Sequence, residues 1–213
     1  MQLSQAQSNL VKISHRGYTQ RMSTNKKRPG GSVRIIGGDL RSRKIHFPDA
    51  AGLRPSADRV RETLFNWLQP AIPAARVLDL FAGSGALGFE AASRGASSVV
   101  MVEKAKLVAS ALRDNRDALA TGAVQIVEAD AFSWLARQAG KAAFDLVFVD
   151  PPFDANWQAK AAQALAESGC LAAGALVYIE SAEALDAAVL PDNWTARKTK
   201  RAGAVHSTLL QAN

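Results

Sequence analysis

From Arg76 to Glu180 the chain alternates short apolar stretches with helical ones, and this rhythm constrains the fold more than any other feature. Strands are predicted over Arg76 to Asp79, Ser97 to Glu103, Val124 to Ala129, Phe144 to Asp150 and Ala175 to Glu180. Helices are predicted over Ala86 to Arg94, Lys106 to Ala120, Ala131 to Arg137 and Trp157 to Glu167. Leu146-Val147-Phe148-Val149 is apolar at every position, so both faces of that strand need cover, as in a parallel sheet sandwiched between helices. The expected class is α/β with a mostly parallel sheet. The rhythm breaks at the end: Thr195 to Lys200 and Val205 to Leu210, joined by Arg201-Ala202-Gly203-Ala204, read as a hairpin, so the last strand is expected to be antiparallel.

Ahead of the alternating region, a helix begins at Ser56 or Asp58, carries an apolar stripe of Val60, Leu64, Phe65, Trp67 and Leu68, and stops at Pro70. Val33 to Phe47 reads as a short hairpin around Gly37-Gly38-Asp39, and Met1 to Ser32 is polar and aperiodic, as a disordered tail would be. Met22 is an alternative start. The expected division is a disordered basic tail over 1–32, a hairpin and helix over 33–72, and the alternating α/β domain over 73–213. Before Pro48 there are ten Lys and Arg against a single acid, Asp39, so the net charge of +7 is concentrated there. Cations interleaved with Ile35, Ile36 and Ile45 describe an ordered basic surface suited to a phosphate backbone.

The 213 residues suffice for one substantial core. No apolar run approaches the ~20 residues of a membrane helix, and no secretory signal is legible. The lone Cys170 allows no internal disulfide, so a reducing cytoplasm is expected. His15, His46 and His206 are far apart and suggest no metal.

Each predicted strand end carries an acid or a turn built for a ligand. Asp79 runs into Phe81-Ala82-Gly83-Ser84-Gly85, Glu103 and Lys104 follow the second strand, and Asp130 and Ala131 the third. Asp150-Pro151-Pro152-Phe153 follows the fourth. Parallel sheets bind ligands beyond the carboxyl ends of their strands, so these residues share one expected site. Gly83-x-Gly85-x-x-Gly88 fits a dinucleotide fingerprint, with Glu103 placed for a ribose diol. A carboxylate at Asp79, however, would lie against the pyrophosphate. A cation is better suited there, and S-adenosyl-L-methionine offers a sulfonium, an ammonium and a ribose diol with no phosphate. In Asp150 to Phe153, a carboxylate and the Pro151 carbonyl accept N–H bonds while the aromatic ring stacks on a base, a grip for an exocyclic amine.

The motifs D-L-F-A-G-S-G-A-L-G, E-K, D-A-F and D-P-P-F, in this order, resemble those of class I S-adenosylmethionine-dependent methyltransferases, a Rossmann-like fold. Arg34-Ile35-Ile36-Gly37-Gly38 and the stretch from Gly52 to Leu68, with Arg54, Pro55, Asp58, Arg59, Val60, Arg61 and Glu62, narrow the resemblance to the RsmD family over about Val33 to Leu210. Members of that family methylate guanine N2 at position 966 of 16S rRNA. The resemblance implies that Asp79 and Phe81 to Gly85 hold the methionine end of the cofactor, Glu103 its ribose diol, and Asp130 with Ala131 its adenine edge, with Lys104 also among the cofactor-binding residues. It implies that Asp150, Pro151, Pro152 and Phe153 hold the guanine. Arg34, Arg41, Arg43, Lys44, Arg54, Arg59 and Arg61 would contact RNA. Ser42, Ser56 and Leu40 depart from the family pattern, where glycine, threonine and an aromatic are usual.

The implied reaction is in-line methyl transfer to an unpaired or flipped guanine in the small ribosomal subunit, assembled or partly assembled, by a monomer without metal. Removal of Met1 to Lys44 is expected to weaken RNA binding far more than cofactor binding. Two alternatives stay open: an adenine-N6 methyltransferase acting on DNA or RNA, and a noncatalytic RNA-binding assembly factor.

Overall fold

The computed structural model describes residues 30–49, 58–138, 140, 144–151 and 157–213. Among the described residues, nine strands and five α-helices follow in the order β1 (Gly30–Arg34), β2 (Lys44–Pro48), α1 (Asp58–Leu68), β3 (Arg76–Asp79), α2 (Ala86–Ser93), β4 (Ser98–Glu103), α3 (Lys106–Leu119), β5 (Val124–Glu128), α4 (Ala131–Leu135), β6 (Phe144–Val149), α5 (Trp157–Ser168), β7 (Leu171–Ser181), β8 (Trp194–Ala202) and β9 (Val205–Ala212). β1 and β2 form a hairpin, and the other strands form one sheet in the order β5-β4-β3-β6-β7-β9-β8. β3 to β7 are parallel, and β9 alone runs against its neighbours β7 and β8. The α/β expectation with an antiparallel last strand is met.

Alternation along β6 shows why the sheet is covered twice. Leu146 and Phe148 join the core beneath α1, α2 and α3, whereas Val147 and Val149 join the core beneath α4 and α5. Each fully buried aliphatic or aromatic side chain contributes on the order of 1.5–3 kcal/mol, which is why a four-residue apolar run holds its place in the sheet. β7 starts at Leu171, before the predicted Ala175, because Phe144 pairs with Leu171 across a register shift, where Gly174 takes a φ of 72°. α4 stops at Leu135, before the predicted Arg137: the N–H groups of Arg137 and Gln138 donate to Trp134 and Leu135, tightening the last turn into 3-10 geometry.

The amino-terminal hairpin shares the main core. Val33, Ile35 and Ile45 are buried with Leu64, Phe65 and Leu68 of α1. Gly30 to Ser32, read from sequence as part of the tail, are in β1 and pair with Pro48, Phe47 and His46. The hairpin is pinned by α2: Ile36 N and Gly37 N donate to the two oxygens of Glu90 at 2.7 and 2.8 Å, and Leu40 N donates to Ser93 Oγ at 2.9 Å. Asn115 of α3 closes the other side, accepting from His46 N and donating to His46 O. Cutting the chain at Lys44 would therefore open the core, so truncation does not isolate RNA binding. Arg61 is corrected by the same packing. It is 1% exposed, donates to the Arg34 carbonyl and to Asp58, and lies 3.6 Å from Glu90. Its guanidinium is committed inside the protein and does not face RNA.

Candidate active site

Strand order reverses between β3 and β6, with β4 and β5 on one side and β7 to β9 on the other. A crevice opens where neighbouring connections leave in opposite directions. Asp79 ends β3 there and Asp150 follows β6. The turn after Asp79 is held by Leu80 N donating to Phe148 O, Ala82 N to Val102 O and Gly85 N to Ala82 O. Gly85, the residue before α2, has a φ of 79°, which L side chains rarely adopt. At Gly88 the reason for glycine is contact: a Cβ would come within 2.4 Å of Met101 and 3.1 Å of Asp79 Oδ2. That proximity lets Gly88 N donate to Asp79 Oδ2 at 3.0 Å. Asp79 is 2% exposed, and burial, partly offset by this bond and reinforced by Glu103, pushes its pKa up to about 7.

Glu103, half-buried at the end of β4, ties the glycine turn to the next connection. Gly83 N donates to Oε2 at 3.0 Å and Ala105 N to Oε1 at 2.7 Å. Asp130 caps α4, accepting from Ser133 N at 3.0 Å, and exposed Lys104 lies 3.6 Å away. The backbone bond from Ser133 is the largest influence and lowers the pKa of Asp130; burial opposes it, and the Ser133 side chain and then Lys104 add to the lowering, so Asp130 stays below its usual value. Ala131 is buried at the first turn of α4. Asp79, Glu103, Lys104 and Asp130, with the turn from Phe81 to Gly85, thus lie along the carboxyl ends of three neighbouring strands.

Asp150 is half-buried, and desolvation first, then the carboxylates of Glu180 and Asp79, raise its pKa well above the usual range. Pro151 is buried; Pro152, Phe153 and Arg54 lie outside the described residues. Glu180 was not expected at the site. It is 3% exposed and accepts from the Tyr178 hydroxyl at 2.8 Å, which also lies 3.0 Å from Ser207 Oγ. The acid at the end of a fifth strand was visible in the sequence, but its proximity to Asp150 comes from the β6–β7 register, which pairs Val149 with Ile179. A second unexpected feature is aromatic. Phe81, Phe132 and Trp157 form a cluster with ring centroids 5.5–6.1 Å apart, and Lys160 Nζ is 4.4 Å from the Phe132 ring centre. Cys170 is buried, with the Ser168 hydroxyl 2.9 Å from its sulfur, and burial raises its pKa.

Of the expected RNA contacts, Arg34, Arg41, Arg43, Lys44 and Arg59 are exposed. Arg43 also donates to the Ala118 carbonyl at 2.9 Å, anchoring the hairpin tip to the end of α3.

The sequence profile of the family described as Conserved hypothetical protein 95 matches residues 33–211. Ribosomal RNA small subunit methyltransferase D of Escherichia coli strain K12 is 44% identical over 85% of this chain and 90% of its own length. The protein of the same name from Haemophilus influenzae is 43% identical, over 85% of this chain and 94% of its own. The solved structure of Escherichia coli yhhF superposes with a TM-score of 0.79 at 44% identity, covering 86% of this chain and 99% of that one. With a family match across most of its length and relatives this similar, the chain belongs to the Conserved hypothetical protein 95 family, the RsmD family whose motifs it carries.

Proposed function

We propose that this protein transfers a methyl group from S-adenosyl-L-methionine to the exocyclic N2 of a guanine in 16S rRNA of the small ribosomal subunit. The observation that carries the reading is a buried acid, Asp79, beside a glycine turn and raised in pKa, next to the half-buried Asp150 at the reversal of strand order. Membership of a family with rRNA small subunit methyltransferases supports the substrate class.

The residues present fit the cofactor. Asp79 is surrounded by a backbone N–H and other acids, so its carboxylate suits the cationic methionine end. Glu103, oriented by two backbone N–H groups, suits a ribose diol; Asp130 and Ala131, with Lys104 alongside, border the adenine. When bound, S-adenosylmethionine supplies an electrophilic methyl. The protein's part is positioning. The guanine amino lone pair is delocalised into its ring, and N–H bonds accepted by the Asp150 carboxylate and the Pro151 carbonyl orient it for attack. Pro152 and Phe153 complete that grip, with the ring stacking on the base. The raised pKa of Asp150 suits it to take the proton the amine must lose, and Glu180 beside it keeps that affinity high. The hairpin cations Arg34, Arg41, Arg43 and Lys44, with Arg54 and Arg59, hold flanking phosphates. Residues 33–72 thus serve RNA and 73–213 the chemistry, in a cytoplasmic monomer.

The test is transfer of radiolabel from S-adenosylmethionine to unmodified small subunits, followed by nucleoside analysis. Label in N2-methylguanosine is expected; label in N6-methyladenosine would establish adenine methylation instead. Asp150→Ala should lower transfer by a factor of at least about a hundred while subunit binding persists, since a positioned proton acceptor contributes roughly 10²–10⁴-fold.

A further inference from the structure

We infer that the groove between α1 and the carboxyl end of β8 is a second RNA-binding surface, which takes the backbone of nucleotides flanking the target and works together with the amino-terminal hairpin. The inference rests on the RNA substrate proposed above.

The groove encloses about 450 Å³, walled by Arg59, Thr63 and Trp67 of α1 and by Lys200 and Arg201 of β8, with Tyr178 on its floor. Among the described residues that line it there is no acid. Lys200 and Arg201 come from an unusual segment: from Asn193 to Asn213 the chain has Arg197, Lys198, Lys200 and Arg201 and no Asp or Glu. Lysines on an edge strand also discourage strand addition, and β8 is an edge. That role asks only for charge pointing outward. Here two of the side chains turn onto α1 instead, Lys200 Nζ donating to Thr63 Oγ1 at 3.0 Å and Lys198 Nζ lying 5.9 Å from the Trp67 ring centre.

Topology puts this surface at the active-site end. Because β9 is antiparallel to both β7 and β8, β8 runs in the same direction as β6. Val149, Ile179, Thr208 and Thr199 stand in one row across the sheet. Asp150 and Lys200 each follow directly from that row. Three strand spacings separate them, about 14 Å, which about four stacked nucleotides span at ~3.4 Å each. The floor residue Tyr178 is hydrogen-bonded to Glu180, the neighbour of Asp150. A strand of RNA with its target base at Asp150 thereby passes over the groove, and its phosphates meet Lys200, Arg201 and Arg59.

The experiment compares wild type with Lys200→Glu/Arg201→Glu and, in case charge reversal impairs folding, Lys200→Gln/Arg201→Gln. Binding to unmethylated small subunits is measured across a salt series, S-adenosylmethionine affinity by calorimetry, and methyl transfer in parallel. At least tenfold weaker subunit binding is expected, with cofactor affinity unchanged. In the neutral variant the log–log salt slope should become shallower by about 1.4–1.8, the value for two phosphates. Unchanged subunit affinity and slope in variants of an active enzyme would overturn the inference and leave the proposed function standing. Self-association of the variants with normal subunit binding would assign the cations to edge protection. A wild type that binds subunits but transfers no label fails the proposed function, and this groove is then judged on binding alone.

Discussion

Two buried acids flank the start of α2, and their surroundings are opposite. Glu90 is fully buried and surrounded by donors: Ile36 N, Gly37 N, Arg94 Nε at 2.8 Å, and Arg61 at 3.6 Å. Asp79 is almost as buried, but among the described residues it accepts from one backbone donor, Gly88, and has other acids for neighbours. A buried charge that is fully compensated acts as a structural rivet, here fastening the hairpin to the catalytic core. A buried carboxylate left uncompensated has its charge disfavoured, which prepares it for a cationic ligand. Burial of an acid is therefore no guide to function; the inventory of its partners is.

Glu90 is the more sensitive of the two acids. Glu90→Gln removes the buried carboxylate that Arg94 and Arg61 share and leaves Arg61 only Asp58 as an acidic partner, and a loss of about 3–5 kcal/mol in urea unfolding is expected. Hydrogen exchange should show the Ile36 and Gly37 amides losing protection. Asp79→Asn should act in the opposite direction on stability. The folded pKa of about 7 lies above the ordinary carboxylate value, so the stability linked to proton binding is full below about pH 4 and is lost as pH rises through 7. With the charge removed, that loss disappears. The variant should gain up to about 4 kcal/mol over the parent at pH 8, since each tenfold difference in proton affinity between folded and unfolded states is worth ~1.4 kcal/mol. Calorimetry should show at least tenfold weaker cofactor binding in the same variant; stability and affinity falling together would place Asp79 with Glu90 as a structural acid. The smallest effect belongs to Ser93, whose hydroxyl donates to Gly37 O at 2.6 Å and accepts from Leu40 N. Ser93→Ala should cost about 1–3 kcal/mol, with cofactor affinity unchanged.

The role of Arg61 was legible in part. On a helix, positions 61, 64, 65 and 68 share one face, and Leu64, Phe65 and Leu68 are apolar, so a cation among them demands a buried partner. Glu90 stands equally out of place in the apolar run from Ala86 to Ala92. Two misplaced charges of opposite sign imply each other, but their residue types alone suggested RNA contact for one and nothing for the other. Strand bounds are sharp where the apolar pattern is dense, as in β3 and β6. They slip in β7, where Ala172, Ala173 and Gly174 give no alternation to read. The acids at four strand ends were legible because parallel sheets always face their site from that end. Glu180 was not, because no glycine-rich or proline-rich turn follows its strand to mark a ligand.

What the sequence determined by itself is whatever depends on neighbours along the chain: the alternation of strand and helix, the glycine turn after Asp79, the D-P-P-F motif and the family. Local sterics and the periodicity of apolar burial act over a few residues, so they can be read from the order of residues. Only the tertiary structure decided which buried charges are surrounded by donors and which lie among other acids. It also set Lys200 level with Asp150 across the sheet and made the hairpin part of the main core. Those outcomes depend on strand order and register, which bring together residues far apart in sequence, and on the dielectric each charge then meets.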